Sequence, residues 1–133
     1  MLDIEAPPET VFGFFVDPAT VTRWLALEAD LDPRPGGVCH QVHEGAPPER
    51  VSHHMQGEFL VVEPSSRVVF TWGFTDADAG VPPGGSTVDV TLTPDGTRTR
   101  LVLVHRHLPP SAVADHSAGW TTLLERLRTV AAR

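Results

Sequence analysis

Residues Leu108–Arg133 read LPPSAVADHSAGWTTLLERLRTVAAR, the strongest amphipathic pattern in the chain. Pro109 and Pro110, followed by a candidate N-cap at Ser111, mark a helix start. From there Val113, Ser117, Trp120, Leu124, Leu127 and Ala131 recur at steps of three and four. Leu123 and Val130 widen the stripe, while most charged residues fall elsewhere. The stripe is uneven: its C-terminal half is large and apolar, whereas Val113, His116, Ser117 and Gly119 make a thin N-terminal half. A helix that packs hard at one end and thinly at the other implies a core that ends in a hollow.

Working back from the helix, short alternating segments separated by turn residues read as strands. They are Leu27–Asp32, Val38–Glu44, Arg50–Glu63, Arg67–Thr75, Ser86–Thr93 and Arg98–His107. Val68, Phe70, Trp72 and Phe74 alternate onto one face, as do Val88, Val90 and Leu92, and Leu101 and Leu103. Gly57 inside the third segment signals a bulge or a close backbone approach. The Gly/Pro-rich stretch 76–85 reads as an exposed, mobile loop, and Gly45-Ala46-Pro47-Pro48 as a turn. Ahead of these strands stand a short strand, Leu2–Glu5, and two short helices, Glu9–Val16 and Pro18–Leu25. Asp17-Pro18 sets the second helix at an angle to the first. The order is β-α-α-β6-α, an α+β chain in which a curved antiparallel sheet of about seven strands wraps one long C-terminal helix. The sheet is wider than the helix, so a pocket between them follows.

A chain of 133 residues with 41% apolar content is one domain spanning 1–133 and can bury a substantial core. Its 17 acidic against 10 basic residues, all arginine and scattered, argue against nucleic acid and membrane surfaces as partners. No segment is long and apolar enough for membrane insertion, and no leader-like pattern opens the chain, so a cytoplasmic protein is expected. The lone Cys39 excludes an internal disulfide and any cysteine-based metal motif.

Several segments occur together in one order: Ala6-Pro7-Pro8-Glu9-Thr10-Val11-Phe12, Asp17-Pro18, Arg23-Trp24, Arg34-Pro35-Gly36-Gly37, Gly57-Glu58-Phe59, Phe70-Thr71-Trp72, Thr99-Arg100-Leu101, His105 and Gly119-Trp120. In this combination the chain resembles the bacterial single-domain homologues of the C-terminal domain of the activator of Hsp90 ATPase, within the START-like, Bet v 1-like (SRPBCC) superfamily. Leu25 stands where that family often carries a second Trp. The resemblance implies a helix-grip fold that binds hydrophobic or amphipathic small molecules. It also implies that Cys39, Gln41 and His43 point inward; a one-residue slip would instead turn Val38 and Val42 inward. The expected pocket then comprises Cys39, Gln41, His43, Phe59, Phe70, Trp72, Phe74, Val90, Leu103, His105, Val113, His116, Ser117 and Trp120. Within it, the resemblance gives His105 the role of bracing the pocket mouth against the last helix.

Seven histidines, His40, His43, His53, His54, His105, His107 and His116, are spread over strands and the helix start. Their spacing matches no zinc motif, so they read as hydrogen-bonded strand residues, with His43 and His53 able to meet across a hairpin. Neither metal nor cofactor is expected. Cys39 and His40 are adjacent on a strand and point to opposite faces, so they make no dyad; pairing of Cys39 with His43 or His53 stays geometrically open. The leading expectation is therefore a small hydrophobic molecule bound in the pocket. The alternatives are a cyclase- or hydrolase-type enzyme using His105, His107 or Arg106 on a polyketide-like or aromatic substrate, and a module that contacts a chaperone or regulator. Self-association to a homodimer through a free sheet edge is a further option. Trp24, Trp72 and Trp120 read as core anchors, each seeking a partner for its N–H.

Overall fold

The computed structural model describes residues 2–44, 52–75 and 81–132. The Gly45–Pro48 turn and the first half of the 76–85 loop lie outside the described residues. Chain order is β1 (Leu2–Ile4), α1 (Pro8–Val16), α2 (Pro18–Val21), β2 (Glu28–Leu31), β3 (Cys39–His43), β4 (His53–Met55), β5 (Phe59–Glu63), β6 (Arg67–Trp72), β7 (Ser86–Asp95), β8 (Arg98–Arg106) and α3 (Val113–Ala131). This is the expected α+β helix-grip order, with eight strands rather than seven.

The extra strand arises at Gly57. The segment read as one long strand divides into β4 and β5, because the backbone at Gly57 presses on the Thr71 and Cys39 carbonyls, where a Cβ has no room. The strands accordingly form a five-stranded sheet, β1-β8-β7-β6-β5, and a three-stranded sheet, β2-β3-β4, both antiparallel. Two isolated bridges, Val38 to Glu58 and Met55 to Phe74, stitch them together. Gln56 N–H donating to the Gly73 carbonyl at 3.0 Å continues that seam.

Asp17 ends α1 and caps α2, its carboxylate accepting the Ala19 N–H at 2.9 Å, as its Asp-Pro step predicts. The turn after α2 delivers Trp24 edge-on to Phe15, with centroids 5.1 Å apart, and its indole N–H donates to the Phe14 carbonyl at 2.8 Å. Ile4, Val11, Phe15, Trp24, Leu127 and Ala131 belong to one continuous core, so the C-terminal half of α3 is the packed end, as its large stripe implies. Full burial of a side chain the size of Ile4, Val11, Phe15 or Leu127 contributes roughly 1.5–3 kcal/mol.

Three local expectations are corrected. Pro110–Ala112 forms a 3-10 turn ahead of α3, and the helix has no side-chain cap, so Ser111 is not the N-cap. β8 stops at Arg106, one residue short of the expected Arg98–His107, where His107 takes a left-handed conformation, φ 65°. The second half of the 76–85 loop is exposed at Pro82, Pro83 and Gly84, as expected, but not at Val81, which is buried and whose carbonyl accepts the Phe74 N–H at 2.7 Å. Among the described residues no helix is long and apolar enough to cross a membrane.

Candidate functional site

The concave face is built by period-two alternation. Phe70 and Trp72 on β6, Val88 and Val90 on β7, and Leu101, Leu103 and His105 on β8 all turn inward. On β3 the buried residues are Cys39, Gln41 and His43, while Val38 is 39% exposed, which settles the register in favour of the family alignment. Phe59 and Phe74 complete the wall and are buried.

Trp72 is the centre of this face. Its ring lies 5.2 Å from Trp120, 5.0 Å from His43, 5.5 Å from Phe74 and 5.6 Å from His105. The rings touch one another, so any molecule entering between sheet and helix does so by moving side chains. Of the predicted residues on α3, Trp120 is buried and His116 half-buried, and both join the cluster. Val113 and Ser117 are exposed and do not: in its N-terminal half α3 meets the aromatic cluster through His116 and Trp120.

Hydrogen bonds fix the protonation pattern. An indole N–H can only donate, so Trp120 Nε1 at 2.9 Å makes His105 Nδ1 an unprotonated acceptor. Neutral His105 then carries its proton on Nε2, which donates to Ser86 Oγ at 2.8 Å, and the hydroxyl donates onward to the Trp72 carbonyl at 2.8 Å. His105 thus joins β8 to Trp120 on α3 and to Ser86 on β7. His116 has the opposite tautomer: Nδ1–H donates to the Ala112 carbonyl at 3.0 Å, and Nε2 accepts from Trp72 Nε1 at 3.4 Å. His43 Nε2–H donates to Gln41 Oε1 at 2.8 Å, leaving the Gln41 amide nitrogen on the Cys39 sulfur at 3.7 Å.

Burial, reinforced by neighbouring His53, lowers His43 to about 4; burial, with His116 nearby, lowers His105 to about 4. Burial pushes the Cys39 thiol up to about 12, so the neighbouring histidines do not activate it. His43 and His53 are cross-strand partners, as the hairpin reading expected. Among the described residues no group of three or more histidine, cysteine or carboxylate side chains is placed to hold a metal.

Sequence reasoning missed two residues. Ser86 begins the inward series completed by Val88, Val90 and Leu92, so period two alone placed it on this face. Asp89 is buried on the opposite face of the sheet, where Arg67 at 2.9 Å and Arg106 at 2.7 Å bind it. That trio depends on strand register. An open groove of about 350 Å³ also runs over the outer face of the small sheet, lined by Glu28, Asp30, His40, Val42, His54 and Gln56 among others.

A strongly curved antiparallel sheet closed on a C-terminal helix, with an aromatic concave face, defines a helix-grip domain of the START-like class. The chain belongs to the family of activator of Hsp90 ATPase homolog 1-like proteins, whose family model matches residues 5–132. Its fold is similar to that of CV1439 from Chromobacterium violaceum, with TM-score 0.84 and 27% identity over 99% of this chain and 95% of that one. It is similar to the AHSA1-like protein RHE_CH02687 from Rhizobium etli, with TM-score 0.72 and 37% identity over 98% of this chain and 78% of that one. It is also similar to DynU16, a protein in the dynemicin biosynthetic locus, with TM-score 0.75 and 27% identity over 96% of this chain and 44% of that one. An uncharacterized Schizosaccharomyces pombe protein, C1711.08, is 28% identical over 107 residues; the match covers 79% of this chain and 28% of that protein.

Proposed function

We propose that this protein binds a small hydrophobic or aromatic molecule between the concave face of its sheet and the N-terminal half of α3. The observation that carries this reading is the cluster around Trp72: six aromatic or imidazole rings meet it, yet His105 and His116 at its border are only half-buried. Flat apolar walls with a few fixed polar atoms suit an aromatic ligand. The likeness to DynU16, from a biosynthetic locus, agrees with a small-molecule ligand.

Binding is favoured over turnover. Imidazoles held at about 4 are weak bases at neutral pH, and a thiol near 12 is no nucleophile there. These groups orient a ligand rather than transform it.

The test is a thermal-shift and tryptophan-fluorescence screen against aromatic and acyl compounds. A ligand at one hundred times its Kd adds about 2.7 kcal/mol to stability, which raises Tm by several degrees. A flat response across both classes of compound sinks the proposal.

A further inference from the structure

The hydrogen-bond donors on the concave face are unequally served. Trp24 and Trp120 place their indole N–H groups 2.8 and 2.9 Å from good acceptors. Trp72 is as buried as they are, but among the described residues its indole N–H has one partner, His116 Nε2, at 3.4 Å. That is beyond the usual span of an N–H donor. The Gln41 amide nitrogen is buried as well, and its partner is the Cys39 sulfur, 3.7 Å away and a weak acceptor. Both donors border His43, whose ring stands 5.0 Å from Trp72 and bonds to Gln41. The site therefore holds N–H groups that an oxygen would satisfy better than their present partners do.

These donors are neutral. His105 cannot take a second proton without losing Trp120, because its Nδ1 already accepts the indole N–H. Arg67 of β6 and Arg106 of β8 are turned to the other face of the sheet and held on Asp89, and Arg98 and Arg100 of β8 are exposed and pair with Glu5, Asp95 and Asp3. A buried carboxylate ligand would leave water without a counter-charge, a large cost; a carbonyl would not.

His116 is the side chain best placed to move. It is half-buried in the first turn of α3, and one firm bond holds it, from Nδ1 to the carbonyl of Ala112. His105, by contrast, is held at both ring nitrogens.

We infer that the ligand of this site is a neutral aromatic carbonyl compound, a ketone or quinone, whose oxygen takes the Trp72 indole N–H as His116 swings aside. This rests on the binding reading above and narrows it to a ligand class.

The experiment compares three probes of one ring system on the full chain: 2-acetylnaphthalene, 2-ethylnaphthalene and 2-naphthoate. Binding is read by tryptophan fluorescence and by the indole N–H resonances. The ketone is expected to bind about tenfold more tightly than the ethyl compound, the size of effect one good hydrogen bond gives, and the naphthoate more weakly than the ketone. The ketone should move the Trp72 indole resonance and leave that of Trp24 in place. Trp72→Phe should erase the preference for the ketone, read as the ratio of ketone to ethylnaphthalene affinity measured on that same variant, whatever its effect on ring binding as such. His116→Ala, which removes the competing acceptor at a half-exposed helix position, should raise the ratio of ketone to ethylnaphthalene affinity several-fold over that of the unaltered chain. Equal affinity for ketone and ethyl compound, or tightest binding of the naphthoate, overturns this inference while the pocket stands. Failure of all three to bind overturns the pocket and this inference together.

Discussion

Trp120 and His105 are joined by a hydrogen bond whose direction is fixed: the indole N–H donates, and the imidazole Nδ1 accepts at 2.9 Å. The bond ties the middle of α3 to the end of β8. It lies where the helix passes from its packed half to the end that carries exposed Val113 and Ser117.

Replacing Trp120 by Phe keeps a ring and removes the donor. The expected cost is about 1–2 kcal/mol. Nδ1 becomes free to take a proton, so the His105 pKa should rise above about 4, while burial and neighbouring His116 still hold it below the ordinary 6.5. An NMR titration of the imidazole resonances checks this; an unmoved His105 would show that burial alone sets its value.

Acid should weaken the fold over a defined window. His43 and His105 both have folded values of about 4, below the 6.5 of an unfolded histidine, so the unfolded chain binds more protons in between. Their contribution is present in full above about pH 6.5 and is lost as pH falls toward 4. For the well-buried His43 the loss is on the order of 2–3 kcal/mol. Urea unfolding at pH 7.5, 5.5 and 4.5 measures it, and His43→Phe should flatten the slope between the first two points.

Cys39 is fully buried, with its thiol pushed up to about 12. A thiol reagent at neutral pH should leave the native protein unlabelled over a time in which the urea-unfolded chain reacts fully. Rapid native labelling would contradict the described position of β3.

Gly73→Ala should be the most damaging small substitution. Its added methyl would meet the backbone of Pro82, which cannot rotate away as a side chain can. A loss of about 2–3 kcal/mol is expected, against near-neutrality for Gly13→Ala on α1, where nothing lies within 4 Å. Parallel thermal melts of the two variants decide the matter.

Asp89→Ala removes the carboxylate that holds Arg67 and Arg106 together. These guanidiniums keep Asp89 below the usual carboxylate range. The arginines are about half-exposed and rehydrate easily, so the expected loss is about 1–3 kcal/mol. Chemical denaturation of the variant at neutral pH measures it, and a loss larger than this range would point to a role beyond the ion pairs.

Long-period and short-period patterns were legible in the sequence because burial imposes them locally. The stripe ending at Ala131, the Asp17 cap and the alternation of Phe70, Trp72 and Phe74 all follow from one residue's relation to its near neighbours. The inward turn of Cys39, Gln41 and His43 was not of that kind. Polar and apolar residues alternate weakly there, and only the family resemblance gave the register. Contacts that depend on the alignment of separate strands stayed hidden, as with Arg67, Asp89 and Arg106, because no local pattern encodes which residues face each other. Gly57 was visible as an irregularity. That the chain splits there into two strands depends on the Thr71 carbonyl, fourteen residues away in sequence.

The seam at Gly57 and Gly73 also has a kinetic meaning. The three-stranded sheet meets the larger one through isolated bridges rather than a continuous ladder, so its amides should exchange with solvent ahead of those in β6, β7 and β8. Such a sub-global opening would uncover Gln41 and His43 from the side while leaving the rest folded. Access to the interior would then be timed by the fraying of one sheet, and residence time by how fast it closes.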